Sequence, residues 1–212
     1  MRRKHSSPYQ KILLFIIAMG ALYGGYFWGS KHNIETRGYL NLHALAEPKA
    51  LGSFQLLGQN GEPFSNADFD DHWNLVIVGH PHSESSTDQL TLAVQIYNRL
   101  ADAPDLQKQL QTLFLNLDSE NTNRTEVEKF LTHFNPDFLA LDGDTENLEI
   151  FTREIGATFK ITGTGADQRI VHSTSIALIA PDGRLIGLFT GRVDAVSIST
   201  DLKTLAEKYK TP

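Results

Sequence analysis

Residues 78–87 (VGHPHSESST) have the layout of a thiol-dependent redox loop, in which a strand ends, a tight loop follows and a helix begins. Ser83 and Thr87 occupy the two positions where a pair of sulfurs would react, but the chain contains no cysteine. Dithiol exchange and thiolate metal binding need a sulfur that ionises near neutral pH, and a helix N-terminus favours the ionised form. Serine and threonine hydroxyls stay protonated there. The sequence therefore excludes dithiol oxidoreductase activity, and we expect no catalytic residue at these two degenerate redox positions.

The pattern of apolar residues around this loop predicts a mixed α/β domain. The continuous apolar run at 75–78 is typical of a strand that is covered on both faces, and the largely apolar segment at 113–118 predicts a second buried strand. Apolar residues at three- and four-residue steps predict an amphipathic helix at 85–103. Asn-Gly at 60–61 and Pro-Asp-Gly-Arg at 181–184 are turn sequences that predict two hairpins. Further helices are predicted at 125–134, 147–155 and 194–208, so we expect a mixed sheet flanked by helices.

The start of the chain predicts a membrane anchor. Residues 12–29 are apolar and uncharged, and eighteen helical residues reach about 27 Å, close to the ~30 Å hydrocarbon core of a bilayer. The basic residues Arg2, Arg3 and Lys4 predict a cytoplasmic tail at 1–11, followed by a polar stalk at 30–50 and a domain at 51–212. We therefore expect a single-pass protein of the inner (cytoplasmic) membrane with its domain on the periplasmic or extracytoplasmic side. The alternative is a cleaved signal peptide with its apolar core at 12–19.

The overall charge argues against a nucleic-acid partner. The formal net charge is -6 and the pI is near 5.7, whereas a phosphate-binding face normally has clustered basic residues. The basic cluster at residues 2–4 belongs to the tail.

Several motifs occur together over about residues 54–209, and with the element order they resemble the thioredoxin superfamily and, within it, the Sco/SenC family. The most specific motif couples His172-Ser173 to a hairpin at a fixed spacing, with Leu178, Pro181, Gly183 and Leu185 in the matching positions. The others are the Asn-Gly-Glu-Pro-Phe turn at 60–64, the strand and loop at 75–87, the strand end at 115–119 and the Phe-Asn-Pro-Asp-Phe-Leu-Ala-Leu segment at 134–141.

The resemblance implies a thioredoxin-like mixed sheet flanked by helices, preceded here by the predicted transmembrane helix. In this family of membrane-tethered copper-handling proteins, two cysteines and a distal histidine bind copper and support assembly of a respiratory oxidase. Of these three positions only His172 keeps its residue type, because Ser83 and Thr87 stand at the cysteine positions. Copper(I) prefers soft sulfur ligands, so we expect no Sco-type copper(I) site and no cofactor, with copper or zinc as the alternative.

Three functional hypotheses follow. The first is a non-catalytic binding or assembly module that is linked to oxidase biogenesis or copper handling, with the membrane and an oxidase or copper protein as partners. The second is a Cu(II) or Zn(II) site made of the imidazoles of His80, His82 and His172. The third is a hydrolase in which His172 activates Ser83 and Asp118 orients the imidazole, although Ser83 is also a favourable helix N-cap.

Overall fold

The computed structural model describes residues 19–21, 41–163 and 167–210. The chain forms two compact units, residues 1–39 and 40–212. Of the first unit only residues 19–21 are described, and they are helical. The predicted tail at 1–11 lies outside the described residues, and so does the predicted anchor at 12–29 except for those three. In the described ranges we find no helix with the length and hydropathy needed to cross a bilayer.

Six strands of the second unit form one mixed sheet in the order β1-β10-β9-β4-β5-β6. Strands β4, β5 and β6 run parallel, and β4–β9, β9–β10 and β10–β1 pair antiparallel, which confirms the predicted mixed sheet. Two short hairpins, β2–β3 and β7–β8, form separate two-stranded sheets. The strands are β1 Leu42–Ala50, β2 Leu56–Leu57, β3 Pro63–Phe64, β4 Trp73–Gly79, β5 Leu110–Asn116, β6 Leu139–Leu141, β7 Phe159–Thr162, β8 Arg169–His172, β9 Ile176–Ile179 and β10 Arg184–Phe189.

Five α-helices accompany the sheet: α1 Glu84–Arg99, α2 Pro104–Gln109, α3 Arg124–Thr132, α4 Thr145–Glu154 and α5 Ala195–Lys210. Two 3₁₀ turns, Gln59–Gly61 and Asn66–Phe69, flank β3. The predicted helix at 85–103 ends at Arg99, and Pro104 opens the separate helix α2. Proline suits the first turn of a helix because the N–H that it lacks would have no helical partner there. Pro104 therefore marks the start of an element that the apolar pattern did not predict.

Strand β1 corrects the C-terminal part of the predicted stalk at 30–50, because residues 42–50 pair with β10 at the edge of the sheet. Residues 30–40 of the predicted stalk lie outside the described residues. Only Leu42 of these nine residues is buried, so the strand shows no alternation of apolar and polar residues. Pro48 also argues against a strand, although an edge strand tolerates proline. Gly187 of β10 makes the pairing possible, since a Cβ there would collide with the carbonyl of His43.

Strand β4 lies inside the sheet, and all seven of its residues are buried. An aromatic cluster packs within the core that includes Val76 and Val78; its rings, Phe54, Phe64, Phe69 and Phe151, have centroids 4.7 to 6.2 Å apart. Helix α1 packs against β4 and α5. This packing fixes the C-terminal end of β4, from which the loop at residues 80–83 leaves.

Candidate functional site

The loop after β4 is held by a close approach between strand and helix. A Cβ at Gly79 would collide with Ser86 Oγ, so only glycine lets the first turn of α1 lie this close. The backbone N–H of His80 donates to Ser86 Oγ at 3.1 Å, and the N–H of Ser83 donates to the carbonyl of His80 at 3.1 Å. These contacts place Ser83 at the N-cap of α1, as the sequence predicts. Its side chain makes no capping hydrogen bond, however.

The Ser83 hydroxyl instead belongs to a hydrogen-bonded triangle with Ser85 and His172. Ser83 Oγ lies 2.8 Å from Ser85 Oγ, and these two oxygens lie 3.2 and 3.3 Å from His172 Nε2. His172 Nδ1 is 3.1 Å from the carbonyl oxygen of Ser173, which can only accept. Nδ1 therefore carries the proton of the neutral imidazole, and Nε2 accepts from a serine hydroxyl. We call this arrangement the serine–histidine triangle.

Burial lowers the pKa of His172, and its hydrogen bond to the Ser173 carbonyl only partly opposes this effect. The charged form loses hydration in this half-buried position, so the neutral imidazole is favoured. A neutral imidazole can accept a proton or bind a metal ion. His172 is therefore in the neutral form that both a general base and a metal ligand require.

His80 lies next to His172, with the two ring centroids 6.0 Å apart and the rings nearly perpendicular. Burial lowers the pKa of His80, and the nearby imidazole of His172 lowers it further. His80 Nδ1 is buried and has no hydrogen-bond partner among the described residues. The structure therefore brings together two of the three predicted imidazoles.

His82 is exposed, and its Nε2 lies 3.5 Å from Glu126 Oε1 at the start of α3. It lines a cavity of about 240 Å³ together with His80, Asp118 and Gln168. Over residues 41–163 and 167–210, no three histidine, aspartate or glutamate side chains form a group that could hold a metal ion. The predicted set of three imidazoles is therefore not gathered around one point in the part of the chain described here.

Asp118 follows β5 at the same edge of the sheet. Its Oδ1 accepts from Asn121 Nδ2 at 2.8 Å and from Gln168 Nε2 at 3.1 Å, and its Oδ2 accepts from Thr122 Oγ1 at 3.2 Å. The proposed role of Asp118 in orienting His172 is therefore wrong, because the Ser173 carbonyl occupies that position on Nδ1.

Thr87 lies one helical turn beyond Ser83 and is exposed, with its Oγ1 3.4 Å from the Ser83 carbonyl. The donors at this corner are imidazole nitrogens and hydroxyl oxygens. Copper(I) selects soft thiolate or thioether ligands, so this set does not fit a Sco-type copper(I) site.

Two serines that complete the site did not emerge from the sequence reasoning. Ser85 and Ser86 lie in the first turn of α1, where serine is common for purely local reasons. The only available signal for Ser86 was Gly79 at the end of a buried strand, since glycine there indicates close approach of another backbone. Nothing in the sequence indicated that Ser85 and Ser83 share His172.

Comparison with known proteins connects this corner to a family. A family model described as SCO1/SenC matches residues 43–207. The mitochondrial SCO2 homolog of Mus musculus is 31% identical over 135 residues, which are 62% of this chain and 52% of that protein. The chain thus spans about half of the length of this relative. A putative copper-binding protein of Stutzerimonas stutzeri is 25% identical over 149 residues, which are 69% of this chain and 72% of that protein.

Solved structures show the same fold. Copper-bound ScoI of Arabidopsis thaliana superposes with a TM-score of 0.67 at 18% identity, covering 74% of this chain and 98% of that one. Copper-bound yeast Sco1 gives a TM-score of 0.65 at 20% identity, with 78% and 91% covered. Since the family model covers nearly all of the residues from β1 to α5, the chain belongs to the SCO1/SenC family.

Proposed function

We propose that the chain is a membrane-tethered SCO1/SenC protein that acts without catalysis, as a binding or assembly module linked to respiratory oxidase biogenesis or copper handling. In this proposal residues 12–29 anchor it in the inner membrane, and the domain lies on the periplasmic side. One observation carries the proposal: the corner where the sequence has the layout of a redox loop holds the serine–histidine triangle, and the chain has no cysteine.

The chemistry of the corner supports a role without thiol exchange. Ser83 and Ser85 carry oxygen in place of sulfur, so neither can form a mixed disulfide, and their protonated hydroxyls cannot replace a thiolate in a copper(I) site. The hydrolase alternative has less support, because Asp118 is bound by Asn121 and Gln168 and does not orient the imidazole. An influence on copper handling would then pass through contact with another protein.

The test combines crosslinking in native membranes with copper titration of the full-length chain. We expect crosslinks to an oxidase subunit or a copper protein, and no stoichiometric copper(I) when a chromophoric chelator competes. Failure to recover any oxidase or copper protein would reject the assembly role. Tight binding of one copper(I) per chain would reject the claim that the corner has lost its metal function.

A second candidate is a Cu(II) or Zn(II) site at His80 and His172, for which His82 would have to move from its position beside Glu126 in order to serve as a third ligand. It is favoured by the 6.0 Å separation of the first two rings and by the unpartnered Nδ1 of His80. Calorimetric titration with each metal should then give one site per chain, which His172→Ala removes. His133→Ala is the matched control, because this imidazole is exposed and its Nδ1 hydrogen-bonds to the Lys129 carbonyl in the preceding turn of α3. Absence of stoichiometric binding tighter than micromolar rejects this candidate.

A further inference from the structure

A groove of about 300 Å³ lies beside the serine–histidine triangle, and Ser85 belongs to both. One wall comes from α1 through Ser85, Gln89 and Leu92. The other comes from Thr174, which lies two residues after His172, and from the loop at 191–193 between β10 and α5. The groove is therefore continuous with the corner to which we assign the binding function.

Gln89 is the most unusual residue of the groove. Its side chain is 6% exposed, and neither Oε1 nor Nε2 has a hydrogen-bond partner among the described residues. A buried carboxamide without partners destabilises a fold, and such a group calls for an explanation. The terminal torsion of glutamine is soft, so the carboxamide can turn toward the groove without losing a hydrogen bond. Its donor and acceptor would match those of a peptide group.

The rest of the groove has the chemistry that an extended polypeptide needs. Leu92, Ile176 and Val193 give it an apolar lining that suits one aliphatic side chain. Asp88 and Arg192 are both exposed at the groove, and neither forms an ion pair with any described residue. One free acidic and one free basic group can therefore fix the direction and register of a bound segment.

We propose that this groove binds an extended segment of the partner polypeptide, with the Gln89 carboxamide pairing with one of its peptide groups and an aliphatic side chain resting against Leu92. This inference rests on the proposed function and names the surface that performs it.

The first experiment locates the contact on the full-length chain in native membranes. The photo-crosslinker p-benzoylphenylalanine replaces Thr174, which is exposed at the groove, and, as the matched control, Glu149 on the exposed side of α4. We expect crosslinks only from position 174, mapped by mass spectrometry to one contiguous segment of an oxidase or copper protein. Equal crosslinking from both positions, or crosslinking only from position 149, rejects partner binding at the groove but leaves the assembly role intact. The absence of a crosslink from either position also overturns binding at the groove, whereas the assembly role is decided by the general crosslinking in native membranes.

The second experiment separates recognition from folding. A synthetic peptide with the mapped sequence is titrated against the full-length chain and its variants. Gln89→Leu should weaken peptide binding at least tenfold while the melting temperature stays the same or rises, because an unpaired carboxamide is removed. Gln107→Leu is the control: Gln107 Nε2 donates to the Tyr97 carbonyl at 2.8 Å, so this variant should lose stability and bind normally.

The exposed Arg192 provides a variant that cannot fail through misfolding of the core. Arg192→Glu should also weaken peptide binding, with an unchanged melting temperature. Unchanged affinity in both Gln89→Leu and Arg192→Glu would overturn the proposal. So would a loss of stability in Gln89→Leu, since it would show that the carboxamide already has a partner within the fold.

Discussion

Removing the two hydroxyls of the serine–histidine triangle should destabilise the protein more than the two single removals together. Ser83 and Ser85 supply two hydroxyl protons, and His172 Nε2 needs only one of them, because Nδ1 holds the imidazole proton. In either single alanine variant the remaining hydroxyl still donates to Nε2. One hydrogen bond is lost, which lowers the free energy of unfolding by ~0.5–1 kcal/mol.

In the double variant Nε2 has no donor. Two hydrogen bonds are lost and a half-buried acceptor is left unpaired, so we expect a total loss of ~2–3 kcal/mol, about 1 kcal/mol more than the sum of the singles. Urea denaturation of residues 40–212 at pH 8 measures the four-member cycle. Thr87→Ala is the control and should change stability by less than ~0.5 kcal/mol, since Thr87 is exposed. An additive cycle would refute the reasoning, because it would show that the two serines do not share the acceptor.

Three further predictions concern the same corner. Ser83→Cys combined with Thr87→Cys should bind one copper(I) per chain, because the new thiolates lie one helical turn apart beside His172; a chelator competition that detects no copper(I) would contradict this. Burial lowers the pKa of His80 and of His172 below the ordinary 6.5, so the unfolded chain binds more protons, and stability should fall as the pH drops through 6.5 toward the folded pKa values. Urea midpoints at pH 8 and pH 5 test this, and replacing both histidines by glutamine should reduce the difference between the two midpoints. Gly79→Ala should lower the free energy of unfolding by ~1–3 kcal/mol, because the added Cβ would collide with the Ser86 hydroxyl of α1. A melting curve identical to that of the parent protein would disprove the close approach.

Elements with a strong apolar pattern were predicted from the sequence. The apolar run at 75–78 predicted β4, and apolar residues at three- and four-residue steps predicted α1. The two turn sequences predicted the hairpins β2–β3 and β9–β10. In each of these elements burial and local turn chemistry point to the same structure, so short-range pattern was sufficient.

Elements that depend on tertiary pairing were not predicted. Strand β1 is almost wholly exposed and exists because β10 offers an edge with Gly187 at the contact. In the β7–β8 hairpin partly buried and exposed residues alternate, but none is buried and the hairpin lies outside the main sheet, so it offers no buried apolar run of the kind that predicts β4.

Some residues of the candidate site could also be predicted from the sequence, and others could not. Ser83, Thr87 and His172 could be located because a strand, a loop and a motif at fixed spacing identify them. The partners of His172 could not: Ser85 is 87 residues away and becomes a neighbour only through folding, and the sequence does not indicate that the carbonyl of the adjacent Ser173 bonds to Nδ1. Gln89 could not be predicted either, because the amphipathic pattern of α1 does not indicate that one polar residue on its buried side lacks a hydrogen-bond partner.

His172 ends β8, which belongs to a two-stranded hairpin and not to the six-stranded sheet. Backbone contact between Ser173 and Thr158 closes the base of this hairpin, and Gln168 connects it to Asp118. The imidazole of His172 is thus carried by the β7–β8 hairpin, whereas Ser83 lies between β4 and α1. Because Phe159 and Ile170 of this hairpin pack against the main core, the position of the imidazole relative to the two hydroxyls is set by side-chain packing and not by strand pairing within the main sheet.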